Sequence, residues 1–347
     1  MIGRTLCWLL NVRRRPSMTR VRSLLLLMLG LAVFHDGYAQ TAWERYVSHP
    51  TSSNAKAVKR VDDYSASARA SANFQADLEI LENQVLAGDR EAVRLAFRAA
   101  MADRVLEHYL YMILGRLARV NARVFLEELQ RSGSKDDPAI VVGTTGEAYA
   151  DRLTARAHEL RARAAALQQI ADRGLVVLRD KCVGILQERA ATLEALSSSA
   201  FHSQVAILDA WLGPRLARSC TRYGPQAEKF WNPKFDEIMA AERRLPLYLE
   251  RARDCGTSLH PVNRYLRQYV GIVVNGRRLL YLNAFEAENY TMIKKLVPEI
   301  ANWRTHPYDK CHAGMDHWGV EYDVEKEEFA NLICNYGPPP GRESIRR

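Results

Sequence analysis

No Cys-x-x-Cys pair occurs in the 347 residues, which removes the common redox motifs and zinc modules from consideration. No Gly-x-Ser-x-Gly elbow and no His-Glu-x-x-His helix is present, so two widespread routes to hydrolytic chemistry lack their signatures. The nine histidines are scattered, with no acid or base partner at a recognisable spacing. Long apolar runs are scarce as well. The block from Ser23 to Phe34 is about a dozen residues, short of the roughly 20 that a membrane-spanning helix needs. A large excess of one charge is also missing. The formal net charge is +9, but residues 1–39 hold six Arg and one Asp, which leaves the remainder near +4. That mild positive balance favours anionic membranes, peptidoglycan or acidic partners at most, and for an exported chain nucleic acid is not an expected partner.

What is present starts with an export signal. Thr19-Arg20-Val21-Arg22 is a short basic segment, the apolar block follows it, and Gly37-Tyr38-Ala39 offers a small-x-small cleavage site. Translation is expected to start at Met18, because the upstream stretch carries Arg13-Arg14-Arg15-Pro16 and would make the basic region far longer than usual. The exported chain then begins at Gln40 and is periplasmic or secreted, with no transmembrane segment. No Cys follows the apolar block, so a lipid anchor of the bacterial lipoprotein kind is not expected. Five cysteines remain after cleavage, an odd number in a compartment that favours pairing. Cys311 is expected to bond Cys334 across a loop of about two dozen residues, a constraint of about 3 kcal/mol. Cys220 and Cys255 flank a helix and form the second expected pair. Cys182 lies on an apolar stripe and is expected to be a buried thiol, with Cys182–Cys220 as the rival pairing.

Helical periodicity dominates the first half. Residues 40–75 read as a loosely ordered or helical lead-in. Leu78, Leu81, Val85 and Leu86 form one stripe; Val93, Ala96, Phe97, Ala100 and Met101 a second; Leu106, Tyr109, Leu110, Ile113, Leu117 and Val120 a third. A short fourth helix carries Val124, Phe125 and Leu129. Breaks fall at Gly88-Asp89, Asp103 and Asn121. LAGDREAVRLAF and ARVNARVFLEEL begin about 32 residues apart with the same layout, which resembles the helical-hairpin repeats of α-solenoids, of HEAT-like kind. A loop at 132–146 precedes two helices, striped by Leu153, Ala157, Leu160, Ala164 and Leu167, then by Leu178, Cys182, Ile185, Leu186 and Leu193. The Arg and Lys of 152–189 read as their solvated side.

The fold class expected is α+β: an all-helical domain at 76–200, a linker at 201–230, an α+β domain at 231–337 with an antiparallel sheet of two hairpins, and a tail at 338–347. In the second domain Asn232-Pro233 opens a helix over 233–253, which Pro246 should kink or end early. Asn275-Gly276 between two β-rich runs predicts a hairpin through a type I′ turn. A two-residue loop sets Val274 opposite Arg277, Ile272 opposite Leu279, Val270 opposite Tyr281, Gln268 opposite Asn283 and Leu266 opposite Phe285. The second hairpin pairs HWGVEYD with EFANLIC across a four-residue loop, which puts Cys334 opposite His317. Trp318, Val320 and Tyr322 then share a core face with Phe329 and Ile333, while Glu321, Asp323 and Glu328 face solvent.

Gln268 and Asn283 put a carboxamide pair on a mostly apolar face. Either they satisfy each other across the strands, or they line a pocket for a polar ligand. With Arg267 and Tyr269 beside them they are the candidate ligand-binding residues. The run HPYDKCHAGMDHWG holds the densest set of metal-ligand types, and His306, His312, Asp316 and His317 are its candidates. No metal or cofactor is expected, however, because nothing defines a complete ligand set and Cys311 has a use in a disulfide. No catalytic residue is nominated.

The run from Trp231 through RQYVGIVVNGRRLLYLNAF to Cys311-His312-Ala313-Gly314 and the Trp318-Gly319-Val320 strand resembles a domain of uncharacterised secreted bacterial proteins. Their pattern is an Arg-Gln-Tyr-x-Gly hairpin followed by a Cys-Asp-Gly-Gly loop and a Trp-Gly-Val strand. His312 and Ala313 stand where that pattern has Asp and Gly. The upstream run VVGTTGEAYADRLTARAHELRARAAAL resembles a segment that follows a helical-repeat region in another such family. The resemblance implies two domains and brings no activity with it. The function expected is a periplasmic or secreted non-catalytic binding protein whose partner is another envelope or secreted protein. The alternative is an envelope-associated hydrolase with its site in the 306–317 loop.

Overall fold

In the computed structural model, which describes residues 40–59, 74–102, 106–132, 138–146, 149, 151–217, 224–252, 255, 259–297, 302–310 and 313–335, the chain enters its first helix through a capping box. Thr41 accepts the Glu44 N–H at 3.1 Å, and the Glu44 carboxylate accepts the Thr41 N–H at 2.8 Å. This α1 (Ala42–Ser48) and the short α2 (Ser52–Ala57) bring Trp43, Tyr46 and Ala55 into the core, so the described first part of the lead-in, residues 40–59, is packed structure. The export signal expected over residues 18–39 lies outside the described residues.

The helical stripes follow as α3 (Phe74–Leu86), α4 (Arg90–Ala102), α5 (Glu107–Val120) and α6 (Ala122–Arg131). Gly88, at φ 86°, ends α3 in the left-handed conformation that only glycine adopts freely, and Asp89 then caps α4 by accepting the Ala92 N–H at 2.9 Å. Asn121 caps α6 in the same way through Val124. Where a loop was expected at 132–146, a short α7 (Pro138–Gly143) buries Val141 and Val142. The long antiparallel pair α8 (Leu153–Gln168) and α9 (Val176–Ser197) completes this layer.

The solvated side expected for α8 and α9 is corrected at three positions: Arg156, Arg163 and Arg189 are buried. Arg163 donates to Glu159 at 3.0 Å and to the carbonyls of Val142 and Thr144 at 2.9 and 2.7 Å. Gly115 makes room for it, since a Cβ there would meet Arg163 Nη1 at 2.2 Å. Arg156 and Arg189 both bind Asp209, at 3.1 and 2.6 Å, tying α8 and α9 to the segment that follows β1. These helices are enclosed by neighbours, so charges between their apolar positions must find partners inside.

Within the described part of the stretch 201–230 lie β1 (Val205–Ile207), the short α10 (Gly213–Leu216) and the start of β2 (Lys229–Trp231), the two strands belonging to the sheet. The remaining elements are α11 (Phe235–Arg251), β3 (Tyr265–Val274), β4 (Arg277–Glu286), α12 (Ala287–Leu296), β5 (Gly314–Asp323) and β6 (Glu328–Asn335). Twelve α-helices among the described residues, most of them N-terminal, therefore precede or flank one six-stranded sheet. Its order is β1-β3-β4-β5-β6, with β2 beside the far half of β3. β1 runs parallel to β3, so the sheet is mixed rather than the antiparallel pair of hairpins expected. One continuous cluster of buried apolar residues runs from Trp43 in α1 to Cys334 in β6.

The first hairpin has the expected register at every pair, with Asn275 at φ 51° and Gly276 at φ 71° in its turn. The α11 boundary differs: Lys234 precedes the helix, and Asn232 accepts the Ala210 N–H at 2.8 Å. Pro246 sits inside α11 without ending it, on the helix's exposed side. In the second hairpin a β-bulge intervenes between Glu321↔Ala330 and Gly319↔Ile333, so Cys334 opposes Trp318 and not His317. Cys334 is bonded to Cys255, which corrects both expected pairings at once. A crosslink over 79 residues restricts the unfolded chain by about 4 kcal/mol. Cys182 is a buried thiol, and Cys220 and Cys311 lie outside the described residues.

Candidate functional site

The sheet has an inner face, packed by α11, and an outer face carrying Leu266, Gln268, Val270 and Ile272 with their partners on β4. The outer face is covered in two places. Leu208, Trp211, Leu212 and Leu216 cover Val270, Ile272, Leu279 and Tyr281. Tyr290 of α12 with Trp303 and Tyr308 covers Leu266 and Phe285.

Under the second cover runs a row of buried polar side chains, one from each of β3 to β6. Asn283 Nδ2 donates to Gln268 Oε1 at 2.8 Å and to the Tyr308 carbonyl at 2.9 Å. Gln268 Nε2 donates to the carbonyls of Trp303 and His306, and Gln268 Oε1 also accepts the Tyr308 N–H. Asn283 Oδ1 faces His317 Nε2 at 2.8 Å, which makes that nitrogen the donor and leaves Nδ1 to accept from Lys310 and Asn335. None of these four side chains is more than 1% exposed. The row clips the 302–310 segment onto the sheet, and of the two alternatives for the carboxamide pair it is mutual satisfaction that the structure adopts.

Arg267 and Tyr269 point to the inner face instead. Arg267 grips Glu242 of α11 with two parallel bonds at 2.8 and 3.0 Å and donates to the carbonyls of Val262 and Tyr265. Tyr269 donates to the same carboxylate at 2.7 Å, and burial, then the negative Glu242, pushes its hydroxyl pKa well up. The four candidate ligand-binding residues are thus divided between two faces, and all are enclosed by protein partners.

The metal candidates separate too. His317 belongs to the polar row, and His306 packs its ring 4.9 Å from His108. Asp316 lies with His260 and Glu286, the three offering ligand atoms within 4.8 Å of one another. Glu286 already pairs with Arg264, and Asn289 donates to Glu286 and Asp316 at 2.8 and 3.0 Å, so both carboxylates of this trio already have partners within the chain. His312 lies outside the described residues.

What remains open is the outer face over β4, β5 and β6. Gly319 leaves a gap in the floor, between Asn283 on β4 and Ile333 on β6. The bulge deepens it: Asn331, at φ 56°, turns the strand so that Leu332 enters the core and Ile333 emerges on the outer face, 39% exposed. This corrects the expected placement of Ile333 on the core face with Trp318. Tyr281, Gly319, Glu321, Asn331 and Ile333, with Gly224-Pro225 as a wall, enclose an open pocket of about 430 Å³. That volume is in the usual range for ligand sites, roughly 300–1,000 Å³.

Comparison with family models, curated proteins and solved structures finds no match.

The pocket's chemistry therefore rests on its own residues. Glu321 forms no ion pair among the described residues, and its one partner there is Asn331, whose Nδ2 donates to it at 2.9 Å. A carboxylate with spare acceptor capacity stands over an apolar floor, an arrangement suited to a cation on a short apolar stem. Sequence reasoning placed Glu321 on a plain solvated face and missed the pocket. The signal available was Gly319, since a glycine inside a strand marks a bulge or a close approach.

Proposed function

We propose that this is a non-catalytic binding protein of the periplasm or the cell exterior, and that its outer-face pocket receives a lysine or arginine side chain of a partner protein. The unneutralised Glu321 beside the floor of Tyr281, Gly319 and Ile333 is the observation that carries this reading. The Cys255–Cys334 bond fits an oxidising compartment, and among the described residues no helix is long and apolar enough to cross a membrane. The HEAT-like reading of α3 to α6 belongs to the same proposal, as a further surface for the partner. A hydrolase acting from the 306–317 loop would need a group free for proton transfer, whereas His317 is engaged through both ring nitrogens in holding that loop. Calorimetric titration with the tripeptide Ac-Leu-Lys-Leu-NH2 tests the proposal against its norleucine counterpart. Binding of the lysine peptide alone, lost in Glu321→Gln, is the expected result; equal binding of both peptides, or of neither, contradicts it.

A further inference from the structure

A second pocket, of about 190 Å³, lies between α4 and α6, lined by Arg94, Phe97, Arg98, Glu128, Arg131 and Ser132. At its base Glu128 is buried, and its two oxygens are shared among three guanidiniums: Arg90 at 3.1 Å, Arg94 at 2.7 Å and Arg131 at 2.7 Å. Arg90 also pairs with Glu127, and Arg94 with Glu91. Arg123, which reaches Glu127 as well, is balanced by Asp172. Among the described residues, four arginines (90, 94, 98, 131) thus face three carboxylates (91, 127, 128), which leaves one positive charge there.

The surplus resides on Arg98. It forms no ion pair among the described residues, and its hydrogen bonds there are two long ones from Nη2, to the carbonyls of Ala55 at 3.4 Å and Val58 at 3.3 Å. Burial lowers its pKa, Glu91 partly offsetting this and Arg94 adding to it. A half-buried guanidinium with unused donors is where an anion gains most, because charge-assisted bonds are the strong ones and the fork geometry fits a carboxylate. Phe97 supplies an apolar floor beside it. The volume is below the roughly 300 Å³ at which drug-sized sites begin, so the occupant is fragment-sized. One surplus charge matches a monoanion better than a phosphate dianion.

We propose that this pocket binds a small monocarboxylate carrying a short apolar group, with the carboxylate on Arg98 and the apolar group against Phe97. Arg94 and Arg131 line the same pocket and would hold the anion's remaining oxygen. The site is separate from the sheet pocket and opposite to it in charge.

Isothermal calorimetry on the purified disulfide-bonded protein tests this with N-acetylleucine, with its uncharged analogue N-acetylleucinamide and with inorganic phosphate. The expected result is saturable one-to-one binding of N-acetylleucine, on the order of tenfold weaker or worse for the amide. Arg98→Gln and Arg131→Gln should each weaken the acid by a similar factor. The Arg131 side chain is 55% exposed, so its variant remains informative if Arg98→Gln fails to fold. Absence of saturable binding by the wild type, equal binding of acid and amide, or undiminished binding in the folded variants would overturn the proposal. Phosphate binding as tightly as the acid would overturn the carboxylate assignment.

Discussion

Asn283 of β4 and Glu321 of β5 lie on the same face of the sheet, two register positions apart on adjacent strands, and their surroundings differ in kind. Asn283 sits in a row in which Gln268, His317 and the carbonyl of Tyr308 meet it with well-placed partners, under a lid of aromatic side chains. Among the described residues Glu321 has a single carboxamide contact, and its neighbour along the strand direction is the gap at Gly319. Polar residues on a sheet therefore divide by their state of satisfaction rather than by type. The first group holds a segment in place, and the second keeps acceptor capacity for something outside the chain. The same division recurs in the helical layer, where among the described residues Arg163 makes three bonds of 3.0 Å or shorter and Arg98 makes two long ones.

Removing a saturated group should cost far more stability than removing an unsaturated one. The largest effect is expected from Glu242→Ala on the inner face, which strands the buried Arg267 guanidinium and should lower the unfolding free energy in urea by about 3–5 kcal/mol. Asn283→Ala comes next. It leaves Gln268 Oε1 and His317 Nε2 each short of a buried partner and loosens the 302–310 segment, for about 2–4 kcal/mol. Amide exchange at Tyr308, whose N–H bonds Gln268, should accelerate in this variant.

His108 sharpens the comparison through pH. Its two ring nitrogens are buried and make no hydrogen bond among the described residues, and the ring stacks on Trp211 at 5.6 Å. Burial first, and the neighbouring His306 second, push its pKa down from 6.5 to about 4. A depressed histidine is neutral in the folded state and takes up its proton in the unfolded state first. Its contribution to stability is thus present above pH 6.5 and is lost as pH falls toward 4. The urea midpoint should drop between pH 7 and 4.5 by less in His108→Phe than in the wild type; equal drops would place the acid sensitivity elsewhere. The smallest stability effect is expected at Glu321→Gln, within about 0.5 kcal/mol of the wild type. A loss comparable to that of Asn283→Ala would erase the distinction drawn between the two groups.

The parts of this arrangement that were legible in the sequence are those fixed locally. A two-residue Asn-Gly turn allows one register, so all five cross-strand pairs named from it, including Gln268 with Asn283, are found in place. Gly88-Asp89 and Asn121 announce helix ends through their own backbone and side-chain chemistry. What escaped depends on distant partners. A single extra residue near Asn331 inverts the end of β6 without changing its composition, which moved Cys334 and Ile333 to different faces from those expected. The bond from Cys334 to Cys255 then depends on where α11 ends against the sheet. Arg156, Arg163 and Arg189 follow the charge pattern of a wet helix, and only the packing of α8 and α9 between other elements makes them internal. β1 and β2 are three residues each, too short for an alternating pattern to develop.

The most direct measurement is a backbone-amide NMR titration of the wild-type protein with Ac-Leu-Lys-Leu-NH2. Shifts confined to Tyr281, Gly319, Glu321, Asn331 and Ile333, saturating with added peptide and abolished in Glu321→Gln, are the predicted outcome. Shifts scattered over the surface, or a response at the pocket that survives Glu321→Gln, would contradict the assignment of this face as the binding site.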